Sequence, residues 1–202
     1  MFPDLMRDDV FRLETPRFWL RWPRAADGAK IAELAGDREV AEMTARIPHP
    51  YPAGAAAEFI LTSRAGNLAG RQIVLVLTPK HRPDEALGCV SLHETGPRVA
   101  LLGYWLGKPF WRRGCVTEAA CALLDMTLRT TDLDTIVASA RPDNAGSRRV
   151  LEKLGFSEQG FGIEPAPARG GSLAVQRFQL PRESWTGCGV ASGDSRALAG
   201  AH

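Results

Sequence analysis

The sequence predicts an α/β (α+β) domain with a central mixed sheet and helices on both faces. Three observations carry this. In the first half, short runs of aromatic and aliphatic residues are joined mainly by turns, the pattern of hairpin-linked antiparallel strands. In the second half, an apolar run ending near Leu106 leads into an amphipathic helical pattern and then a further apolar run, the order of a crossover connection. With 202 residues, 45% of them hydrophobic and 24% charged, the chain can fill one sizeable core and does not require two.

Each element has a local reason. Arg17 to Trp22 reads as a short strand stopped by Pro23. From Arg24 to Gly36 the apolar positions fall at helical spacing, and a weaker helical turn follows up to Thr44. Prolines then stiffen Ile47 to Pro52 into an extended loop. Ala53 to Leu68 is helical again, with Ala57, Ile60, Leu61 and Leu68 near one face. Gln72 to Leu77 is a buried strand, and Thr78 to Glu85 a polar turn. Ala86 to Glu94 and Arg98 to Leu106 pair as antiparallel neighbours around Thr95-Gly96-Pro97. A helix from Val116 to about Arg129 buries Val116, Ala119, Ala120, Leu123, Leu124 and Thr127. Asp134 to Ala140 is a strand, and Asn144 to Leu154 a helix closed by Gly155. Strands near Phe156 to Ile163 and Ser172 to Leu180 complete the domain. Residues 1–12 are read as an N-terminal extension, 13–185 as the domain, and 186–202 as a flexible tail, small and Gly-rich.

The most informative stretch is Gly103 to Ala119, GYWLGKPFWRRGCVTEA. A strand, a turn rich in Arg and the first turn of a helix would aim free backbone N–H groups and the positive helix end at one spot. Arg112 and Arg113 add charge there, and Gly114 lets a ligand come close. Such a place suits a diphosphate, and the strand running into it suits a long polar tail. It is not a Walker loop, since Gly-Lys-Ser/Thr is missing. A second stretch follows at Arg141 to Phe156, RPDNAGSRRVLEKLGF.

Together these two motifs resemble the GNAT superfamily of N-acetyltransferases, and within it the RimJ/RimL-like branch that acetylates N-terminal amines of ribosomal proteins. The resemblance spans roughly Leu13 to Trp185, including LETPRFWLR, the IPHPYP segment and the GCVSLHE strand. It implies a mostly antiparallel sheet of six or seven strands, splayed between the fourth and fifth, with acetyl-CoA in the gap. It also implies a bulge that frees amides in the strand ending Tyr104-Trp105-Leu106, to hold the acetyl oxygen and the pantetheine arm. The backbone of Arg113, Gly114, Cys115 and Val116, the Thr117 hydroxyl and the charges of Arg112 and Arg113 would take the diphosphate. The loop departs from the superfamily pattern Q/R-x-x-G-x-G/A, with Trp111, Arg112 and Val116 at variant positions and only Gly114 kept.

Asn144 is a natural helix cap, and by resemblance it also holds the coenzyme arm. Many relatives carry a Tyr one turn beyond Ser147 to protonate the departing thiolate; here that place is Leu151. Ser147 is the substitute acid, unless it is simply a first-turn helix serine. A Glu common in relatives is replaced by Leu101, which leaves the base open between Glu94, His93 and a water chain. His49 and Tyr51, with His93, border the acceptor. The activity implied is direct acetyl transfer to a primary amine, most simply a ribosomal or other protein N-terminus. A small-molecule amine acetyltransferase and a catalytically silent acyl-CoA-binding module are the rivals.

A net charge of +2 argues against a broad nucleic-acid face. The four cysteines, Cys89, Cys115, Cys121 and Cys188, show no metal spacing and read as buried or incidental thiols, so no metal is expected. No run approaches the ~20 apolar residues of a membrane span, and MFPDLMRDDV lacks a secretory core. A cytoplasmic monomer or homodimer is expected.

Overall fold

The computed structural model describes residues 2–7 and 9–187. Among the described residues eight strands form one sheet: β1 (Arg12–Glu14), β2 (Phe18–Arg21), β3 (Gln72–Pro79), β4 (Gly88–Gly96), β5 (Val99–Leu106), β6 (Thr135–Ala140), β7 (Ser157–Ala166) and β8 (Gly171–Pro181). Their spatial order is β1-β2-β3-β4-β5-β6-β8-β7, and every neighbouring pair is antiparallel except β5 with β6. The strand beyond the expected count is β1, which pairs Leu13 with Leu20. It is only three residues long, too short for alternation to reveal. The gap lies where the resemblance implies it, between Arg98–Leu106 and the strand after the next helix.

Helices α4 (Cys115–Thr130) and α5 (Ala145–Lys153) cover one face. Their buried residues, Ala119, Leu123, Leu124 and Leu151 among them, join Leu75, Leu92, Leu102 and Ile136 in the main core. On the other face, α1 (Gly28–Ala35), α2 (Arg38–Glu42) and α3 (Ala55–Leu68) enclose smaller clusters, Ile31 with Ala56 and Ile60, and Val76 with Cys89. A short 3-10 turn, Ala25–Asp27, precedes α1. There Asp27 meets Arg21 in a fully buried pair at 2.7 and 2.8 Å, fixing α1 to the end of β2.

The expected face of α3 is corrected. Leu61 and Leu68 are exposed and Ala57 faces outward, while Ala56, Ile60, Ser63 and Asn67 are buried. The cause is polar: Asn67 exchanges two hydrogen bonds with the Val74 backbone, at 2.8 and 3.0 Å. That pairing turns the helix away from the register that leucine positions alone would choose. The N-terminal residues are also more than an extension, because Phe2 and Met6 are buried in the main core. Cys89 and Cys115 are free, whereas Cys121 is disulfide-bonded, against the expectation of incidental thiols. Cys188 and nearly all of the expected tail lie outside the described residues. Among the described residues, no helix is long and apolar enough to cross a membrane.

Candidate active site

The site begins with backbone that has lost its neighbour. β5 pairs with β6 only at Val99, Ala100 and Leu101, opposite Thr135, Ile136 and Val137. Beyond Leu101 the two strands part. Groups along an antiparallel strand point alternately to its two sides. The Gly107 amide donates to Leu87, on the β4 side, while the Arg98 carbonyl accepts from Asp134 and Thr135, on the β6 side. Even-numbered residues of β5 therefore face the gap. The amides of Tyr104 and Leu106 point into it, and that of Trp105 belongs to the β4 ladder. The expected bulge is thus corrected: Tyr104 to Leu106 run in register with Val90 to Gly88, and the register shift sits at Glu94/Gly96. Divergence of the sheet frees these amides.

At the wide end of the gap the chain turns into α4. Trp111 is tied back by its indole N–H, which donates to the Leu106 carbonyl at 2.7 Å. Arg112 and Gly114 both adopt positive φ, 61° and 70°. Gly114 is the N-cap of α4 and no side chain caps the helix. The first intrahelical bond runs from Glu118 to Gly114 at 3.0 Å, so the amides of Cys115, Val116 and Thr117 have no acceptor within the helix. Three free donors at the positive end of a sixteen-residue helix suit an anion. Arg112 and Arg113 are exposed beside them. Cys115 is a buried thiol whose pKa burial pushes up, so it fills space here and is not an activated nucleophile.

Across the gap, α5 presents its own N-terminus. Asn144 caps it, accepting from the Ser147 amide at 2.9 Å. Ser147 and Tyr104 share a hydrogen bond between their hydroxyls at 2.8 Å, and the Tyr104 hydroxyl also reaches the Ser147 carbonyl at 3.2 Å. Burial pushes the Tyr104 phenol up to about 12, against a smaller opposite effect of the Ser147 bond. It stays protonated throughout the neutral range. Leu151 is wholly buried in the main core. The Tyr104 phenol, projecting from β5, is thus brought to the first turn of α5.

Of the remaining candidates, His49, Tyr51 and His93 lie along the opposite face. The His49 ring donates from Nδ1 to the Gly36 carbonyl at 3.1 Å. Tyr51 is half-buried against the cluster of Ile31, Ala56 and Ile60, which Trp105 also touches, and burial raises its phenol pKa. His93 is half-buried on the same face. Glu94 is exposed and pairs with Ala100, whereas Tyr104 pairs with Val90. Four strand residues at about 3.3 Å each separate them, so Glu94 is not brought to the Tyr104–Ser147 pair. The gap is bridged on this side. Arg169, on the turn between β7 and β8, donates to the carbonyls of Ala41, Thr44 and Ile47, and Arg141 donates to that of Glu42 at 2.8 Å. Among the described residues, no group of three or more His, Cys, Asp or Glu is placed to hold a metal ion.

Comparison with known proteins decides the family. Residues 17–157 match the domain described as "Acetyltransferase (GNAT) domain". The chain belongs to this family. The ribosomal-protein-serine acetyltransferase of Escherichia coli (strain K12) is 30% identical over 81 residues, 39% of this chain and 45% of that protein. The chain spans about half the length of the curated relatives it matches. Mycobacterium smegmatis RimJ, solved with CoA-disulfide, superposes with a TM-score of 0.74 at 23% identity, covering 91% of each chain. The microcin C7 self-immunity acetyltransferase MccE, solved with acetyl-CoA and AMP, gives 0.70 at 19% identity, covering 82% of this chain and 93% of that one.

Sequence reasoning missed the residues that hold this GNAT site in shape. Arg17 donates through Nη1 to the Arg113 carbonyl at 3.0 Å and through Nε to Glu118 at 2.6 Å. Glu118 also accepts from the Thr15 hydroxyl and the Arg17 amide, at 2.7 and 2.9 Å. Burial pushes Glu118 up, but these hydrogen bonds outweigh it and hold the carboxyl below its ordinary value. The β1–β2 turn thereby clamps the first turn of α4. The available signal was the acid in that first turn with no capping residue before it. Its partners lie about one hundred residues away and carry no local pattern.

Proposed function

We propose that the protein is an acetyl-CoA-dependent N-acetyltransferase that transfers acetyl directly to a primary amine in a ternary complex, with the α-amine of a peptide or protein N-terminus as acceptor. The observation that carries this is the parted sheet. Two free amides in the gap lead to a helix start that has three more free amides and two arginines. That set fits acetyl-CoA in three respects: a thioester oxygen and amide arm beside Tyr104 and Leu106, a diphosphate at Gly114 to Thr117, and cationic charge at Arg112 and Arg113. Asn144 stands beside the arm.

The chain's own groups supply what acetyl transfer needs. The Tyr104 and Leu106 amides polarise the carbonyl, and holding two reactants in line contributes several kcal/mol. Ser147 gives its proton to the departing sulfur and recovers one from Tyr104, which burial keeps protonated. His49, Tyr51 and His93 line the acceptor side. The sequence carries no strong acidic run to mark a polycation site, and an α-amine with a pKa of about 8 leaves more neutral nucleophile than a lysine near 10.4. The ribosomal-protein-serine acetyltransferase among the relatives favours the same acceptor class.

The test is mass spectrometry of a panel of short peptides and free amines with acetyl-CoA. Acetyl on the α-amine of peptides with small first residues is expected. Acetyl only on a small metabolite would overturn the acceptor while leaving fold and coenzyme intact, and no transfer to any amine would leave only a binding module.

A further inference from the structure

A polar chain runs across β3, β4 and β5 on the face of the acceptor side. The His93 ring meets Gln72 Oε1 through Nδ1 at 2.9 Å and Ser91 Oγ through Nε2 at 3.0 Å. Gln72 Nε2 donates to the Ser63 carbonyl at 3.2 Å, which turns Oε1 toward His93. Oε1 can only accept, so Nδ1 carries the proton and Nε2 presents a lone pair to the Ser91 hydroxyl. Ser91 has a second acceptor, the Gly103 carbonyl, but at the longer distance of 3.3 Å. Gly103 stands directly opposite Ser91, one residue before Tyr104. A Cβ at Gly103 would lie 3.0 Å from Ser91 Oγ, so the absence of a side chain there leaves room beside the hydroxyl.

We infer that Ser91, His93 and Gln72 form the proton exit for the attacking amine, with Ser91 touching the amine or its water and His93 and Gln72 acting through it as positioning residues. This rests on the acetyltransferase reading above and names the base that reading lacks. As the amine nitrogen bonds to the acetyl carbon and the carbon–sulfur bond breaks, the nitrogen loses one proton to Ser91 Oγ. Ser91 passes its own proton to His93 Nε2, which releases it to solvent. The sulfur takes its proton from the Tyr104–Ser147 pair, which regains one from solvent, so the exchange balances. Burial, and then the charge of Arg46, hold His93 below its ordinary value. Gln72 on β3, Ser63 on α3, and Leu101 and Gly103 on β5 carry no charge, so Arg46 is the charged group acting on the ring. An imidazolium does not persist beside it. His93 is therefore a neutral acceptor at pH 7 that passes the proton onward.

The experiment is single-turnover acetylation of the peptide tetra-alanine by the full chain with saturating acetyl-CoA, followed from pH 5 to 9. Wild type should show an ascending limb below pH 6.5, set by His93. His93→Gln should slow the reaction about 10²-fold and remove that limb, while acetyl-CoA still raises the melting temperature. Gln72→Glu places a carboxylate at Nδ1, stabilises the imidazolium and should move the limb upward by about one unit. A merely structural glutamine would not produce that shift, and it remains readable if His93→Gln folds poorly. A wild-type rate and profile in both variants would overturn the relay and leave the acetyltransferase reading standing. A wild type that binds acetyl-CoA but never acetylates tetra-alanine would overturn the α-amine reading, and the relay with it.

Discussion

At the end of the gap proposed for the coenzyme the groups offered to a ligand are backbone amides, those of Tyr104, Leu106 and the first turn of α4. At the end proposed for the acceptor they are side chains, His93, Ser91 and Gln72, drawn from two strands and oriented by a third element. Backbone donors are fixed by the fold itself and tolerate changes in the side chains around them. Side-chain relays depend on every member, including the Ser63 carbonyl that turns Gln72. The coenzyme end should therefore fail only when backbone access is blocked, and the acceptor end when any one polar partner is removed.

The largest effect should come from blocking that access. Acetyl-CoA at about one hundred times its dissociation constant adds roughly 2.7 kcal/mol, or about 5–10 °C in melting temperature for a chain of this size. Gly114→Asp should abolish the shift in a thermal-denaturation assay, because it puts a side chain and a negative charge where the proposal places the diphosphate. NADH should give no shift with the wild type.

Next come the hydroxyls between the two ends. Ser147→Ala should lower kcat about 10²-fold while the acetyl-CoA shift survives, as measured by steady-state release of free CoA. An unchanged kcat would make Ser147 structural and assign protonation of the sulfur to water.

How far the sequence revealed each end follows from the same contrast. Gly114, the arginines and the cap at Asn144 are local signals, since a helix start and its ligand-facing amides come from one continuous stretch. The succession of strands along the chain is legible for the same reason, whereas the position of the gap is what the resemblance implies and the spatial order of the strands appears only in the fold. Leu61 and Leu68 misled the reading of α3, because Asn67 pairing with Val74 is a contact to another element. Arg17 with Glu118, Ser91 with His93 and Gln72, and Arg169 with Thr44 and Ile47 are joined only by the folded sheet. The sequence marks Tyr104 for its backbone amide, and a hydroxyl meeting Ser147 across 43 positions leaves no local signal.

Smaller effects sharpen the acceptor side. Arg169→Ala removes the bridge between the β7–β8 turn and residues 41–47, and should raise the KM for a peptide acceptor about tenfold with little change in the acetyl-CoA shift. Loss of the shift instead would mean that the bridge holds the whole gap open. Asn144→Ala should cost about 1 kcal/mol in denaturant unfolding and weaken coenzyme binding modestly.

The central claim is that acetyl-CoA lies in the gap between β5 and β6 against unpaired amides. Backbone amide NMR during titration with acetyl-CoA tests it most directly. Tyr104, Leu106, Val116 and Thr117 should show the largest shift changes and slowed hydrogen exchange, while Trp105, held in the β4 ladder, changes little. Uniformly small changes along β5 with the main response elsewhere would contradict it.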